Sequence, residues 1–252
     1  MHQGGTFLNY VQVSTPFVDE INDAYNEKGD GIRIAILDSG LFTKHVEFSN
    51  VSQNGYNFID SSKDIDDDNG HGTWITGIIS ADNNAFGIQG VAPSATVIPL
   101  KVLDKYGRGD IETVCAAIEW CISNNVDIIN LSFTTKEDNT HLFTSIKKAL
   151  SAGIVVVSSY NNDTAATHCY PADYEGVIGV KVGNKNRIEI RDHICYAPGS
   201  ETFTTNIGGG YCLVGGTSIA TAYVTGLIAL SMEHCKKSGQ EFTCESFFQE
   251  WS

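Results

Sequence analysis

Three residues of this chain supply the side-chain types that a hydroxyl nucleophile needs, and each stands where an element begins or ends. Asp38 closes the apolar run "IRIAIL" (32–37) within "LDSG". His71 opens the pattern "HGTWITGII". Ser218 follows two glycines in "GGTSIATAYVTG", ahead of a run that stays apolar through "LIALSM". A serine hydroxyl is a weak nucleophile until a base takes its proton, and an imidazole base needs a carboxylate to orient it. Singly, each has an ordinary structural reading. An Asp after a strand caps a turn, a His at a helix start packs against its neighbours, and Gly-Thr-Ser before a helix is an N-cap. Jointly, an Asp, a His and a Ser at three element ends are the parts of nucleophilic acyl transfer.

Such side chains converge only if the fold carries those element ends to one edge. Apolar runs at 32–37, 95–102, 126–133, 153–159 and 176–182 are continuous rather than alternating, which predicts strands covered on both faces. Between them, Val114, Ala117, Ile118 and Cys121 keep helical spacing after a capping Asp110. Leu142, Ile146, Ala149 and Leu150 do so before Gly153. In the segment after His71, Trp74, Ile75, Ile78 and Ile79 are expected to face inward. Strand and helix in alternation predict an α/β fold, a three-layer sandwich with a mostly parallel central sheet and helices on both faces. Sites in such sheets lie beyond the carboxyl ends of the strands.

With 252 residues, 42% of them hydrophobic, the chain can bury one large core, and a single domain over 16–252 behind an extension at 1–15 is expected. No 18-residue apolar run or secretory leader is legible, so no membrane partner is expected. A net charge of −14 argues against nucleic acid. Seven cysteines, an odd number without a C-x-x-C pair, predict a reducing, cytoplasmic setting, with secretion after removal of a leader as the alternative.

"AILDSG", "HGTWITG" and "GTSIATAYVTG" resemble, in order, the Asp, His and Ser blocks of the subtilisin-like serine peptidases, and the resemblance runs from about Pro16 to His234. It implies that Asp38 orients His71, that His71 is general base and then acid, and that Ser218 attacks the scissile carbonyl of a polypeptide. It implies an oxyanion donor at Asn162 in "GIVVVSSYNND", with Asn161 where the family has glycine. It places substrate contacts at Gly107, Arg108 and Gly109, at Ser132, Phe133 and Thr134, and at Asn161 and Cys169. Side chains at Thr134, Thr135, Asn161 and Cys169 should narrow the primary pocket, and Asp67 and Asp68 should bias the enzyme toward basic neighbours. No cofactor is required for this chemistry. The loop "NNAFGIQGVAP" (83–93) resembles the family's calcium loop, implying a structural Ca²⁺ on Glu47, Asn84 and the carbonyls of Asp82, Phe86 and Ile88, with Glu47 where the family has Asp. Ala222 and Tyr223 depart from a usual proline and a common histidine. The 37 residues before Asp38 are too few for the folding prodomain that secreted members carry, so either that piece is removed or the chain folds without one, and a separate prodomain or inhibitor is a candidate partner. "FLNYV" (7–11) loosely resembles a self-blocking extension. A pseudoprotease or peptide-binding module and a peptide cyclase are the alternative readings of the same groove.

Overall fold

Alternate residues of each central strand face opposite layers, and both sets are apolar. In the computed structural model, which describes residues 18, 21, 25–49, 51, 55–162, 168–185 and 187–251, Ile34 and Ile36 of β1 (Arg33–Asp38) belong to one core while Ala35 and Leu37 belong to the other. The same division holds for Val97 against Ile98 in β3 (Thr96–Lys101), and for Val155 and Val157 against Val156 in β5 (Val155–Ser159). Helices on both faces are therefore required to exclude water. The expected extension at 1–15 lies outside the described residues.

The remaining elements are β2 (Tyr56–Asn57), α1 (His71–Ser80), α2 (Ile111–Ser123), β4 (Ile128–Leu131), α3 (Thr140–Ser151), β6 (Ile178–Val182), β7 (Glu189–Arg191), β8 (Ile194–Ala197), β9 (Thr202–Thr205), β10 (Tyr211–Val214), α4 (Thr217–Ser238) and α5 (Cys244–Glu250). The large sheet runs β2-β3-β1-β4-β5-β6-β8-β7, parallel except for β7 against β8; β9 and β10 form an antiparallel hairpin. Helix α2 begins where the capping Asp110 predicts, and α3 begins after Asn139, a cap the sequence reading did not name. Asp110 accepts from Thr113 N–H at 2.7 Å, and Asn139 accepts from His141 and Leu142 N–H. Their apolar stripes, Val114, Ala117, Ile118 and Cys121 with Leu142, Ile146 and Ala149, fill one core; α1 and α4 fill the other.

Helix α4 is buried almost all round from Thr217 to Glu233. Its hydroxyls are bonded accordingly: Thr221 donates to the carbonyl of Thr217 at 2.8 Å, and Thr225 donates to Asn130 Oδ1 in β4 at 2.8 Å. Trp74 departs from expectation. It is half-buried, its Nε1–H reaches Asn206 Oδ1 at 3.1 Å, and its ring meets His71 edge-on at 5.8 Å, because an indole N–H needs an acceptor that the core does not offer.

Candidate active site

Asp38, at the carboxyl end of β1, is 1% exposed. Its carboxylate accepts from Ser39 N–H at 2.7 Å and faces His71 Nδ1 at 2.8 and 2.9 Å. His71 is held there by the close approach of α1 to the β1 turn. A methyl on Gly72 would lie 2.2 Å from the carbonyl of Gly40, so only glycine lets the helix come this near. The first turn of α1 is anchored by Asp67, which accepts from Asn69, Gly70 and Thr73 N–H at 3.0, 2.8 and 2.9 Å. It also accepts from the hydroxyls of Thr73 at 2.7 Å and Ser39 at 2.9 Å. Burial alone would raise the Asp67 pKa, yet these donors hold its carboxyl below the ordinary range. For His71, burial pushes the pKa down, but the Asp38 charge and hydrogen bond, with Asp67 behind them, outweigh it and leave the imidazole above its ordinary value.

Asp67 is thus a buried anchor, which removes it from the acidic surface expected beside the His block. Asp68 does remain exposed and pairs with Lys101 at 2.6 Å. Lys101, the β3 partner of Asp38 in register, also donates to the carbonyls of Ser39 at 2.5 Å and Asp66 at 3.2 Å. Neither anchor was visible in the sequence, since an acidic run and a strand-end lysine both read as solvated surface.

Ser218 lies in the first turn of α4, its hydroxyl donating to the carbonyl of Ser132 at 2.9 Å. Ser132 Oγ is fixed in turn by Asn130 Nδ2 at 3.0 Å. Asn162 Oδ1 accepts from Thr217 N–H at 2.9 Å, leaving the carboxamide NH₂ as its donor beside the start of the serine helix. Asn161 points its backbone N–H at Cys169 Sγ, 3.5 Å away, and Cys169 is buried. Thr135 and Tyr170 exchange two backbone hydrogen bonds of 2.8 Å, and Thr134 Oγ1 reaches the Tyr170 carbonyl at 3.1 Å. Residues 132–135, 161 and 169–170 are therefore brought together, with Phe133 half-buried among them. Gly107, Arg108 and Gly109 form no strand. They belong to an exposed turn in which Asp104 N–H donates to the Arg108 carbonyl at 2.8 Å.

The expected calcium ligands come together without suiting a cation. Glu47, fully buried, already takes the Ile88 N–H at 2.9 Å and the Tyr211 hydroxyl at 2.6 Å on Oε1, and Asn84 Nδ2 at 3.0 Å on Oε2. Asn84 Oδ1 accepts from Phe86 N–H at 3.0 Å, and the Asp82 carbonyl from Asn84 N–H at 2.9 Å. The side-chain oxygens of Glu47 and Asn84 and the Asp82 carbonyl face N–H and O–H groups instead, so this donor set does not fit Ca²⁺. No group of three or more His, Cys, Asp or Glu side chains able to hold a metal occurs among the described residues.

The sequence profile of the subtilase family matches residues 29–246, most of the chain. The chain belongs to the subtilase family. Among relatives, a thermostable alkaline protease of Halalkalibacterium halodurans is 38% identical over 213 residues, which cover 80% of this subtilase and 57% of that protein. Subtilisin E of Bacillus subtilis is 37% identical over 213 residues, 80% of this chain and 55% of the relative. The minor extracellular protease Epr of the same species is 35% identical over 209 residues, 80% of this chain and 32% of the relative. This subtilase therefore spans about half the length of two of these relatives and a third of the other. No helix among its described residues is long and apolar enough to cross a membrane.

Proposed function

We propose that this subtilase is a serine endopeptidase in which Asp38, His71 and Ser218 form the catalytic triad and Asn162 supplies an oxyanion donor. The observation that carries the reading is the buried Asp38 carboxylate against His71 Nδ1 at 2.8 and 2.9 Å, which fixes the tautomer so that Nε2 is the basic nitrogen. The Ser218 hydroxyl first leaves the Ser132 carbonyl; His71 Nε2 then takes its proton as Oγ bonds to the scissile carbon. The carbonyl oxygen gains the negative charge, and Ser218 N–H with Asn162 Nδ2 accommodate it. His71 returns the proton to the leaving amine, and water, deprotonated by the same imidazole, releases the acid and regenerates Ser218. Every proton and electron pair is accounted for by these groups, so the chemistry requires no cofactor, and calcium has no part in it.

For substrate choice, Thr134, Asn161 and the buried Cys169 add volume where the family carries smaller residues. This supports a selective processing peptidase that favours a small or slender residue before the cut. About 1–3 kcal/mol of discrimination per methylene-sized mismatch is available to such a pocket. The exposed turn at 107–109 is where the resemblance places contacts with the substrate backbone. On location, the relative whose name marks it as extracellular supports the secreted alternative over the cytoplasmic one that the cysteines suggested.

Fluorophosphonate labelling of the wild type and of S218A tests the core of the reading. A serine adduct that is lost in S218A is expected, and an unlabelled wild type would leave a binding module in its place. Mass analysis of products from a linear peptide separates hydrolysis from cyclisation. Chromogenic peptides ending in Ala, Leu, Phe, Lys and Glu test the pocket, and fastest cleavage after Phe would overturn the narrowing.

A further inference from the structure

We infer that Glu47 replaces the cation at the centre of the loop 82–88, so that this loop is closed by protein hydrogen bonds and its order is independent of calcium. A calcium loop gathers oxygens around a positive charge; this one gathers hydrogen-bond donors around a negative charge. Three donors converge on a single carboxylate from two parts of the fold: Ile88 N–H and Asn84 Nδ2 from the loop, and the Tyr211 hydroxyl from β10. The extra methylene of Glu over Asp carries the carboxylate into the middle of the loop. A methyl built on Gly87, whose φ is +67°, would fall 1.7 Å from Glu47 Oε1 and 2.2 Å from the Tyr211 oxygen. The backbone thus wraps directly onto the carboxylate and leaves no shell for a metal, whose oxygen ligands stand about 2.3–2.6 Å away on every side.

His45 locks the other side of the same hub. Its Nδ1 accepts from Glu47 N–H at 3.3 Å, its Nε2 donates to the Gly210 carbonyl at 2.8 Å, and its ring meets Tyr211 edge-on at 5.3 Å. The Asp82 N–H donates to the Glu47 carbonyl at 3.0 Å, and the Asp82 carboxylate accepts from Ser49 N–H at 3.0 Å. A buried carboxylate with its lone pairs satisfied is stable without a counter-ion, whereas removing one partner leaves buried donors unmet. Inserting a cation would require turning away the two donors on Oε1, the carboxamide on Oε2 and the Phe86 N–H on Asn84.

Limited proteolysis of the full chain, made in the S218A background to prevent self-digestion, tests this. Cuts within 82–88 are located by mass spectrometry in chelator and in millimolar calcium. The expected nicking rate is the same in both, while E47Q, which sets an amide NH₂ against the donors, raises it about tenfold or more in both. N84A, a milder change, should raise it in the same sense. If calcium slows nicking of the Glu47 chain severalfold and N84A abolishes that protection, the loop holds a metal and the inference is overturned. Because the readout is local chain opening, its outcome is separate from whether the enzyme cleaves substrates.

Discussion

Both oxygens of Asp38 lie within hydrogen-bond distance of one imidazole nitrogen, and the pH behaviour of the site follows from that contact. In the proposed role His71 works as base only when neutral, so kcat/KM is expected to rise with pH through the His71 pKa. That pKa is held up: burial lowers it, and the Asp38 charge and hydrogen bond more than reverse the loss. The acid limb of a kcat/KM–pH profile is therefore expected above histidine's ordinary 6.5. In D38N it should move down while turnover falls by about 10⁴; an unmoved limb would remove Asp38 from the role. The stability linkage has the opposite dependence. A group whose pKa is raised on folding contributes most below its unfolded value and loses that contribution as pH rises through the folded one, so the pair holds the fold least in the range where the enzyme is most active. At the oxyanion, N162A should lower kcat by about 10²–10³, a magnitude that comes from this same family rather than from this chain, with little change in KM. If N161A shows that loss instead, the donor is the neighbouring asparagine.

Helix α4 brings Ser218 to the sheet edge, and its packing reverses a common rule. Gly to Ala inside a helix usually stabilises, by up to about 1 kcal/mol. At Gly226, however, the added methyl would stand 2.6 Å from the Val91 Cβ and 2.8 Å from its Cγ1, the second of which V91A removes. G226A is expected to destabilise by about 1–3 kcal/mol, and V91A added to it should recover part of the loss, a coupling that a double-mutant cycle in denaturant would measure. If the two changes simply added, close packing would not be the cause. The parts of this arrangement that the sequence made legible are those set by local pattern. Continuous apolar runs marked five of the parallel strands, β1, β3, β4, β5 and β6, Asp110 marked the start of α2, and the Leu142–Ile146–Ala149 stripe marked α3. What stayed hidden depends on long-range pairing. The short strands β7 to β10 carry weak periodicity, Asp67 reads as one more residue of an acidic run until five donors close on it, and the Ser132 carbonyl that holds Ser218 is main chain, which no residue type advertises. On the inference drawn for Glu47, the loop 82–88 is hidden for the same reason, since a loop motif specifies oxygens but not which way neighbouring N–H groups turn.

Charge acts over the whole molecule. At a net −14 the protein repels anionic peptides at a distance, and the field is strongest where carboxylates crowd a concave wall. Asp60, Asp64, Asp66, Asp68 and Asp104 line a cleft of about 430 Å³ with Lys101 and Lys105. Of the two cations, Lys101 is buried and committed to Asp68 and to two carbonyls, so it offsets Asp68 and leaves the other carboxylates of the wall in excess over Lys105. The cleft reaches the catalytic end of the sheet through Lys101, the strand partner of Asp38. Substrates with Lys or Arg a few positions from the cut should therefore be captured faster than neutral ones of the same sequence, through the association rate. Exposed charges are screened beyond about 8–10 Å at physiological ionic strength. The advantage should consequently shrink severalfold as salt rises, while a neutral peptide is unaffected. D60N/D66N removes two exposed charges without touching the triad, and should flatten the salt dependence of kcat/KM for the basic peptide while leaving the neutral one unchanged. A salt dependence equal for both peptides would mean that the acidic wall screens itself and does not steer substrate.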